Sequence, residues 1–416
     1  MARVLLLLPT ATYRAADFLT AARTLGAEVV VASDRRLVSI GDTQLTLDLR
    51  RPEVAAEAIA AVAAERPLDA VVAVDDQGVH VAALAAERLG LPGNPLEAAA
   101  ATRDKAAMRR ALAAAGVPQP EHRTVGPSDD SAAVAAEVGL PCVVKPLSLS
   151  ASRGVIRADD PRAAAAAAAR VRAILAEAGE DPEGPLLIER YVPGAEVAVE
   201  GLLRASALEP LAVFDKPDAL EGPYFEETIF TAPSRLPGEI VAAVTRTTAD
   251  ACAALGLREG PVHAELRVHG GRVWMLELAA RSIGGLCSRS LRFGVGVSLE
   301  EVILRHALGL PLGDLRREAA ASGVMMLPIP RAGVLREVRG QDDARAVPGI
   351  AGLEISIGRG RPVRPLPEGD RYLGFLFARS ETPGQVELAL RAAHARLEID
   401  IVEPAVGGRD GAGLGS

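Results

Sequence analysis

Two carboxylates and an arginine stand out in the run 262–285, V-H-A-E-L-R-V-H-G-G-R-V-W-M-L-E-L-A-A-R-S-I-G-G. In its first half Val262, Ala264, Leu266 and Val268 alternate with His263, Glu265 and Arg267. That is the two-residue period of a strand with one apolar face. In its second half Glu277, Ala279 and Arg281 share a face by the same rule. Two acidic groups and a guanidinium on one surface suit a metal-bound triphosphate: oxygen ligands for a divalent cation and a fixed positive charge for the phosphoryl group. The competing reading, a surface hairpin with solvated charges, leaves Glu277 and Arg281 unexplained inside an otherwise apolar strand.

These residues can act together only if the backbone brings them together. The run predicts a hairpin around Gly270 and Gly271. Directly opposed residues of an antiparallel pair share a face, so Glu265 meets Glu277 only across a connection of odd length, such as 270–272 with a glycine bulge. A two-residue Gly-Gly turn would separate them.

A chain of 416 residues is about two to four domains by size and can bury a large core. Lys and Arg total 46 against 54 Asp and Glu, and the net charge of -8 argues against a nucleic-acid partner bound by phosphate neutralisation. Cys142, Cys252 and Cys287 form neither a disulfide framework nor a paired-cysteine metal motif and read as apolar filler in a reducing compartment. The leucine run 5–8 is too short to cross a bilayer, and Arg3 alone makes a poor signal-peptide start. A cytoplasmic protein with no membrane partner is expected.

The first ninety residues alternate strand and helix: strands over 4–8, 28–32 and 70–74, helices over 15–25, 54–64 and 79–89. This order predicts a parallel sheet with right-handed crossovers. No glycine triplet follows the first strand, which disfavours nicotinamide binding. Thr10, Thr12, Asp34, Asp75 and Asp76 form the rim beyond the strand ends, although Asp75 and Asp76 are read first as caps of the next helix. A helix over 102–115 follows, with Lys105, Met108 and Leu112 along one face. Lys145 sits in a strand, V-V-K-P, ahead of the polar loop S-L-S-A-S-R-G over 148–154, whose hydroxyls and amides suit phosphate oxygens. The segment 186–196, L-L-I-E-R-Y-V-P-G-A-E, is a strand, a Pro-Gly turn and a second carboxylate. It offers backbone groups to a purine edge and Glu196 to a ribose, or is simply a turn with exposed charges.

Taken in order, Lys105, Lys145 in V-V-K-P, the serine loop before Gly154, E-R-Y-V-P-G-A-E over 189–196, H-A-E ending at Glu265 and L-E-L-A-A-R ending at Arg281 resemble an ATP-grasp ligase over nearly the whole chain. Within that superfamily the chain is most similar to the amino-acid ligases, through F-D-K-P around Lys216, F-E-E-T-I from Phe225, A-A-R-S-I-G-G and R-Y-L-G-F-L-F-A from Arg371. The resemblance implies a mixed α/β and α+β multidomain protein with an ATP-grasp fold. Its expected parts are a Rossmann-like pre-grasp domain (1–95), a linker helix (96–117), a lid (118–193), a large grasp subdomain (194–330), a C-terminal α+β domain (331–404) and a disordered tail (405–416).

The resemblance also implies ATP and Mg2+ or Mn2+. Lys105 and Lys145 would bind phosphates under the loop of Ser148, Ser150, Ser152 and Gly154. Glu189 and the backbone through Arg190, Tyr191 and Val192 would hold adenine, and Glu196 the ribose. Glu265 and Glu277 would carry metal, and Arg281 would face the phosphoryl group and the acyl oxyanion. His263 would help deprotonate the amine or orient its neighbours. Lys216, Glu226, Glu227, Ser282, Gly284 and Gly285 would line pockets for small-molecule carboxylate and amine substrates. The C-terminal module would cover the site or build a homodimer interface. Two departures from the family pattern are Ala279, where asparagine is frequent, and Ala151, where glycine is frequent. The expected reaction is amide formation through an acyl phosphate. The alternatives are an enzyme activating formate or bicarbonate and a non-catalytic nucleotide-binding regulator.

Overall fold

A computed structural model describes residues 1–10, 12–35 and 43–403, so the glycine-rich stretch 405–416 lies outside the described residues. The N-terminal sheet is parallel, order β3-β2-β1-β4, with β1 Arg3–Leu7, β2 Glu28–Ser33, β3 Thr43–Thr46 and β4 Ala70–Ala73. Every residue of β1 is buried because both faces are covered. Val4 and Leu6 pack with Phe18 of the helix Ala15–Thr24, while Leu5 and Leu7 pack with Ile59 of Pro52–Glu65 and Val81 of Asp76–Leu89. The edge strand β3, T-Q-L-T, is half exposed and carries too little apolar signal to be read from sequence.

Two local expectations are corrected here. Asp75 occupies the N-cap position of Asp76–Leu89, yet its side chain makes no capping hydrogen bond. Its carboxylate lies 3.5 Å from Arg14 Nη2, and Asp76 turns to Arg281, so both acids serve the rim and not the helix. The linker helix expected over 96–117 is two helices, Leu96–Ala101 and Lys105–Ala114, and the helix read over 102–115 begins only at Lys105. Asp104 caps the second by accepting from the Ala106 and Ala107 N–H groups at 2.8 and 3.1 Å, which fixes the helix start at Lys105.

The segment expected as a lid holds an antiparallel sheet, order β5-β8-β6-β7, of β5 His122–Val125, β6 Cys142–Pro146, β7 Ile156–Ala158 and β8 Leu186–Arg190. The alanine-rich helix Pro161–Glu177 packs Ala164, Ala168 and Val171 against it.

Next come β9 Ala195–Arg204, β10 Ala207–Lys216, β11 Ile229–Ala232, β12 Gly260–His269, β13 Arg272–Ala279 and β14 Ala321–Leu327. Beyond Pro328 follow β15 Gly333–Arg339, β16 Ile350–Ile355, β17 Pro362–Val363, β18 Gly374–Ser380 and β19 Glu398–Val402. The sequence set this last stretch apart as a module, but β18 returns to pair with β14 from Leu327↔Gly374 to Ala321↔Ser380. One eight-stranded sheet results, β13-β12-β9-β10-β11-β14-β18-β16, and β17, β15 and β19 form a separate small sheet. Among the described residues, no helix is long and apolar enough to cross a membrane.

The β12–β13 hairpin departs from expectation in an informative way. His269 pairs with Arg272, so the turn is the two-residue Gly270-Gly271, with φ of +57° and +74° as a primed hairpin turn requires. Such a turn alone would put Glu265 and Glu277 on opposite faces. They are nevertheless directly opposed, because the register slips between Glu265↔Glu277 and Leu266↔Met275. The extra residue is Leu276, and this β-bulge restores the parity.

Candidate active site

A cavity of about 400 Å³ lies where the parallel sheet, the lid and the large sheet meet. Its walls include Asp75 and Asp76 beyond β4, Lys105 at the start of its helix, and Lys145 and Glu189 of the lid. The loop 149–153, the hinge 190–192, and Glu265, Glu277, Ala279 and Arg281 complete this half.

Lys105 Nζ donates to the Leu149 carbonyl at 2.9 Å and lies 3.2 Å from Glu277 Oε1, so one ammonium joins the serine loop to the hairpin. Lys145 Nζ is 2.5 Å from Glu189 Oε2, and Arg109 Nε donates to Oε1 of the same carboxylate. Burial works to raise the Glu189 pKa, but the Arg109 and Lys145 charges outweigh it and hold the carboxyl at about 2. Burial also pushes Lys145 down, partly offset by Glu189. Arg109, 1% exposed, was missed by sequence reading. Its Nη2 donates to the Leu276 carbonyl at 2.6 Å, occupying the acceptor that the bulge frees from the ladder. The one sequence signal is its place beside Met108 on the buried face of the Lys105 helix.

In the loop, Ala151 and Ser152 have φ of 56° and 55°, a left-handed pair that costs a side-chain-bearing residue about 1–2 kcal/mol. Successive amides in such a turn form an anion-binding concavity. Ser150, Ala151 and Ser152 line the cavity, whereas Ser148 and Gly154 do not; Gly154 N–H donates to the Pro367 carbonyl.

At the hinge, Tyr191 N–H donates to the Pro141 carbonyl, while Val192 N–H donates to nothing among the described residues. The Val192 carbonyl accepts from Arg267 Nη1 at 2.7 Å. Arg267 Nε donates to Glu196 Oε2 at 2.9 Å and Lys216 Nζ to Glu196 Oε1 at 2.7 Å, so a ribose would share Glu196 with two cations. Arg267 was not singled out in the sequence because its partners are distant in the chain.

Lys216 is buried beneath the cavity floor and bonds Glu196, Glu227 and, at 3.2 Å, Glu265. Burial opposes its charge, yet the three carboxylates keep it protonated far above the usual lysine range. Glu265 is held well below the carboxylate range: burial would raise it, but Lys216 and His263 prevail. Burial and then the Glu265 charge push Glu227 up to about 8. Ligand atoms of Glu196, Glu227 and Glu265 fall within 4.8 Å of one another. The Lys216 ammonium already bonds all three and Arg267 also holds Glu196, which makes the trio a poor cation site.

His263 Nδ1 is 3.2 Å from Glu200 Oε2, and its Nε2 is 3.6 Å from Glu265. Burial lowers its pKa, but the hydrogen bonds to Glu200 and Glu265 raise it on balance. Glu200, fully buried, also accepts from the Ile283 N–H and so fixes the loop after Arg281. Its position in β9, opposite His263 of β12, is legible only once the strand pairing is known. Arg281 Nη2 donates to Asp76 Oδ2 at 2.9 Å, joining the hairpin to the parallel sheet. Gly284, Gly285 and Glu227 line the cavity. Ser282 lies behind it, accepting from Arg14 Nη1 at 2.5 Å, and Glu226 faces a separate void of about 10 Å³.

Residues 138–290 match the ATP-grasp domain, residues 19–93 the ATP-grasp N-terminal domain, and residues 325–402 the L-amino acid ligase C-terminal domain 2. A D-alanine--D-alanine ligase of Desulforudis audaxviator is 33% identical over 221 residues, 49% of this chain and 67% of that protein. The alanine--anticapsin ligase of Bacillus subtilis is 28% identical over 288 residues, 64% of this chain and 60% of that protein. The chain spans 58–64% of the length of the alanine--anticapsin ligases and of a Sinorhizobium fredii relative. The L-amino acid ligase structure from Bacillus licheniformis superposes with a TM-score of 0.81 at 23% identity, over 97% of this chain and 99% of that one. The N5-carboxyaminoimidazole ribonucleotide synthetase of Thermotoga maritima gives 0.70 at 17% identity, over 97% and 100%. The chain belongs to the ATP-grasp family. Within it, the C-terminal domain and the whole-chain fold are those of the L-amino acid ligases.

Proposed function

We propose that the protein is an ATP-dependent carboxylate-amine ligase that forms an amide between two amino acids, or an amino acid and a related amine, through an acyl phosphate. The observation that carries this reading is the opposition of Glu265 and Glu277 in a cavity that also holds Lys105, Lys145 and Arg281. A protein that merely bound a nucleotide would not need paired acids and an arginine beyond the lysines.

Carboxylate oxygens are hard donors suited to magnesium, so Glu265 and Glu277 fit that ion, and Ala279, opposite His263, adds no ligand. Bound there, magnesium supplies charge neutralisation to the triphosphate. The free Val192 N–H suits a purine acceptor, and the amides of the left-handed pair at Ala151 and Ser152 suit phosphate oxygens. A substrate carboxylate oxygen attacks the γ-phosphorus and ADP departs. The amine nitrogen then attacks the acyl carbon and phosphate departs. Arg281, pinned by Asp76, neutralises charge that develops in both steps. His263, held between Glu200 and Glu265, orients the metal-side carboxylate, and Lys216 fixes Glu265 in its ionised form. The enclosing loop excludes water that would hydrolyse the acyl phosphate.

The test is ADP and phosphate release across a panel of amino-acid pairs, with the products analysed by mass spectrometry. Glu277→Gln should cut turnover by at least about a hundredfold with folding intact. ATP binding without release in any pair, or full activity in Glu277→Gln, would reject the reading.

A further inference from the structure

The cavity has a second half that the nucleotide chemistry does not use. Beyond Glu265 and Arg281 it is walled by Tyr13, Phe230, Ile283, Cys287, Met326 and Tyr372. Phe230, Ile283, Cys287 and Met326 belong to the largest hydrophobic core, and Tyr13 and Tyr372 pack on it. The wall is assembled from three parts of the chain. Tyr13 comes from the parallel sheet domain, where its ring meets Phe375 edge-on at 5.2 Å and its Oη accepts from the Tyr372 N–H at 3.2 Å. Tyr372 meets the same Phe375 ring at 6.1 Å, and Cys287 Sγ lies 3.4 Å from Met326 Sδ. Gly285 closes the corner with φ +60°; a Cβ there would stand 2.8 Å from the Phe375 ring.

Polar groups border this chamber at its mouth. Asp75 and Asp370 line the same cavity, as does Arg281, the cation fixed by Asp76. The Tyr13 hydroxyl is engaged by the Tyr372 amide, and Ile283 N–H by Glu200. Inside, two tyrosine rings, a phenylalanine, an isoleucine, a thiol and a thioether remain, and the charges nearest them, Glu227 and the Lys216 ammonium 5.0 Å from the Phe230 ring, are bonded to each other. Such a surface offers dispersion and apolar burial and little that would compensate a desolvated charge. The flexible methionine lets it adapt to side chains of differing shape.

Resting on the ligase reading above, we infer that one of the two substrates is an α-amino acid with an uncharged apolar side chain, seated among Tyr13, Phe230, Ile283, Cys287, Met326 and Tyr372. Its ammonium faces the acids at the mouth and its carboxylate faces Arg281. Charged side chains are rejected because the ionic groups nearest the chamber, Glu227 and Lys216, are already paired with each other.

The experiment uses the full chain with Mg-ATP. Leucine, alanine, serine, glutamate and lysine are each supplied with every partner amino acid, and phosphate release is followed. Leucine should support turnover in one position where glutamate and lysine do not. Tyr372→Ala, which removes one wall, should raise the KM for leucine about tenfold while the KM for ATP changes by less than about twofold. Cys287→Phe, which fills the chamber, should weaken leucine more than alanine. Turnover with glutamate or lysine in the position that leucine fills would overturn the inference while leaving the ligase reading intact, as would equal loss for all amino acids in both variants. If no pair releases phosphate, the ligase reading fails separately. Calorimetric titration of leucine and glutamate into the protein loaded with a non-hydrolysable ATP analogue then decides the chamber. Leucine binding that Tyr372→Ala weakens supports it, and absence of leucine binding overturns it.

Discussion

At the scale of single residues, the site is a set of charges that could be recognised in the sequence and a second set that could not. Glu277 and Arg281 were legible because each breaks an apolar strand pattern, where a charge demands an explanation, and Glu265 because it sits on the polar face of the strand expected to pair with them. Lys105 and Lys145 gained meaning only from their order along the chain. Arg14, Arg109, Glu200 and Arg267 gave no such signal, since each acts on a partner many residues away, and composition cannot reveal which buried charges will meet. Arg109 shows what was hidden. It bonds the Glu189 carboxylate and the Met275 and Leu276 carbonyls from a fully buried position. Removing one member of such a group leaves the others uncompensated, so Arg109→Ala should lower unfolding stability by about 3–5 kcal/mol. Urea denaturation measures this, and a loss below about 1 kcal/mol would show that Glu189 is satisfied by Lys145 alone.

At the scale of elements, parity decided whether the carboxylates could meet, and the sequence could state the condition but not how it is fulfilled. Any odd insertion suffices; here it is Leu276, well past the Gly270-Gly271 turn and supported by a guanidinium from another element. The continuation of the large sheet through β18 and β16 was equally invisible. Strand periodicity locates a strand but does not choose its neighbour. One consequence is that the segment between β17 and β18 touches both halves of the cavity. Its Pro367 carbonyl accepts from Gly154, Glu368 pairs with Arg170 of the helix Pro161–Glu177 at 2.7 and 3.1 Å, and Asp370 and Tyr372 line the cavity. Arg170 also lies over the Tyr224 ring at 5.1 Å. An exposed pair of this kind contributes at most about 1 kcal/mol to folding. Its larger effect should fall on how the loop 148–154, proposed above to meet the phosphates, is held. Arg170→Ala should therefore raise the KM for ATP by about three- to fivefold with little change in melting temperature. Steady-state kinetics at varied ATP check this, and an unchanged KM would show that the loop is held without the latch.

At the scale of the whole molecule, buried ion pairs tie the parts together, and their protonation sets how the assembly responds to acid. Asp76, beyond β4 of the parallel sheet, binds Arg281 in the bend after β13, and Glu189 of β8 binds Arg109 and Lys145. For Asp76, burial would raise the pKa, but Arg281 and Arg103 outweigh it and leave the carboxyl at about 2. Glu189 stands at about 2 for the parallel reason. In an unfolded chain these groups titrate near about 3.9 and 4.3. Both are thus depressed on folding, so each contributes stability that is fully present above about pH 5 and is lost as the pH falls towards 2. A shift of this size corresponds to roughly 2–3 kcal/mol per group. Urea midpoints should therefore decline steadily between pH 5 and pH 2.5. Asp76→Asn removes one of the two titrations, so its midpoint should be lower than that of the parent protein at pH 6 and should fall less steeply below pH 5. Arg281, left without its charged partner, would be more mobile, and the same variant should lose turnover at neutral pH, where its fold remains intact. An acid slope identical to the parent's would mean that the contact between the parallel sheet and the hairpin does not depend on the Asp76 charge.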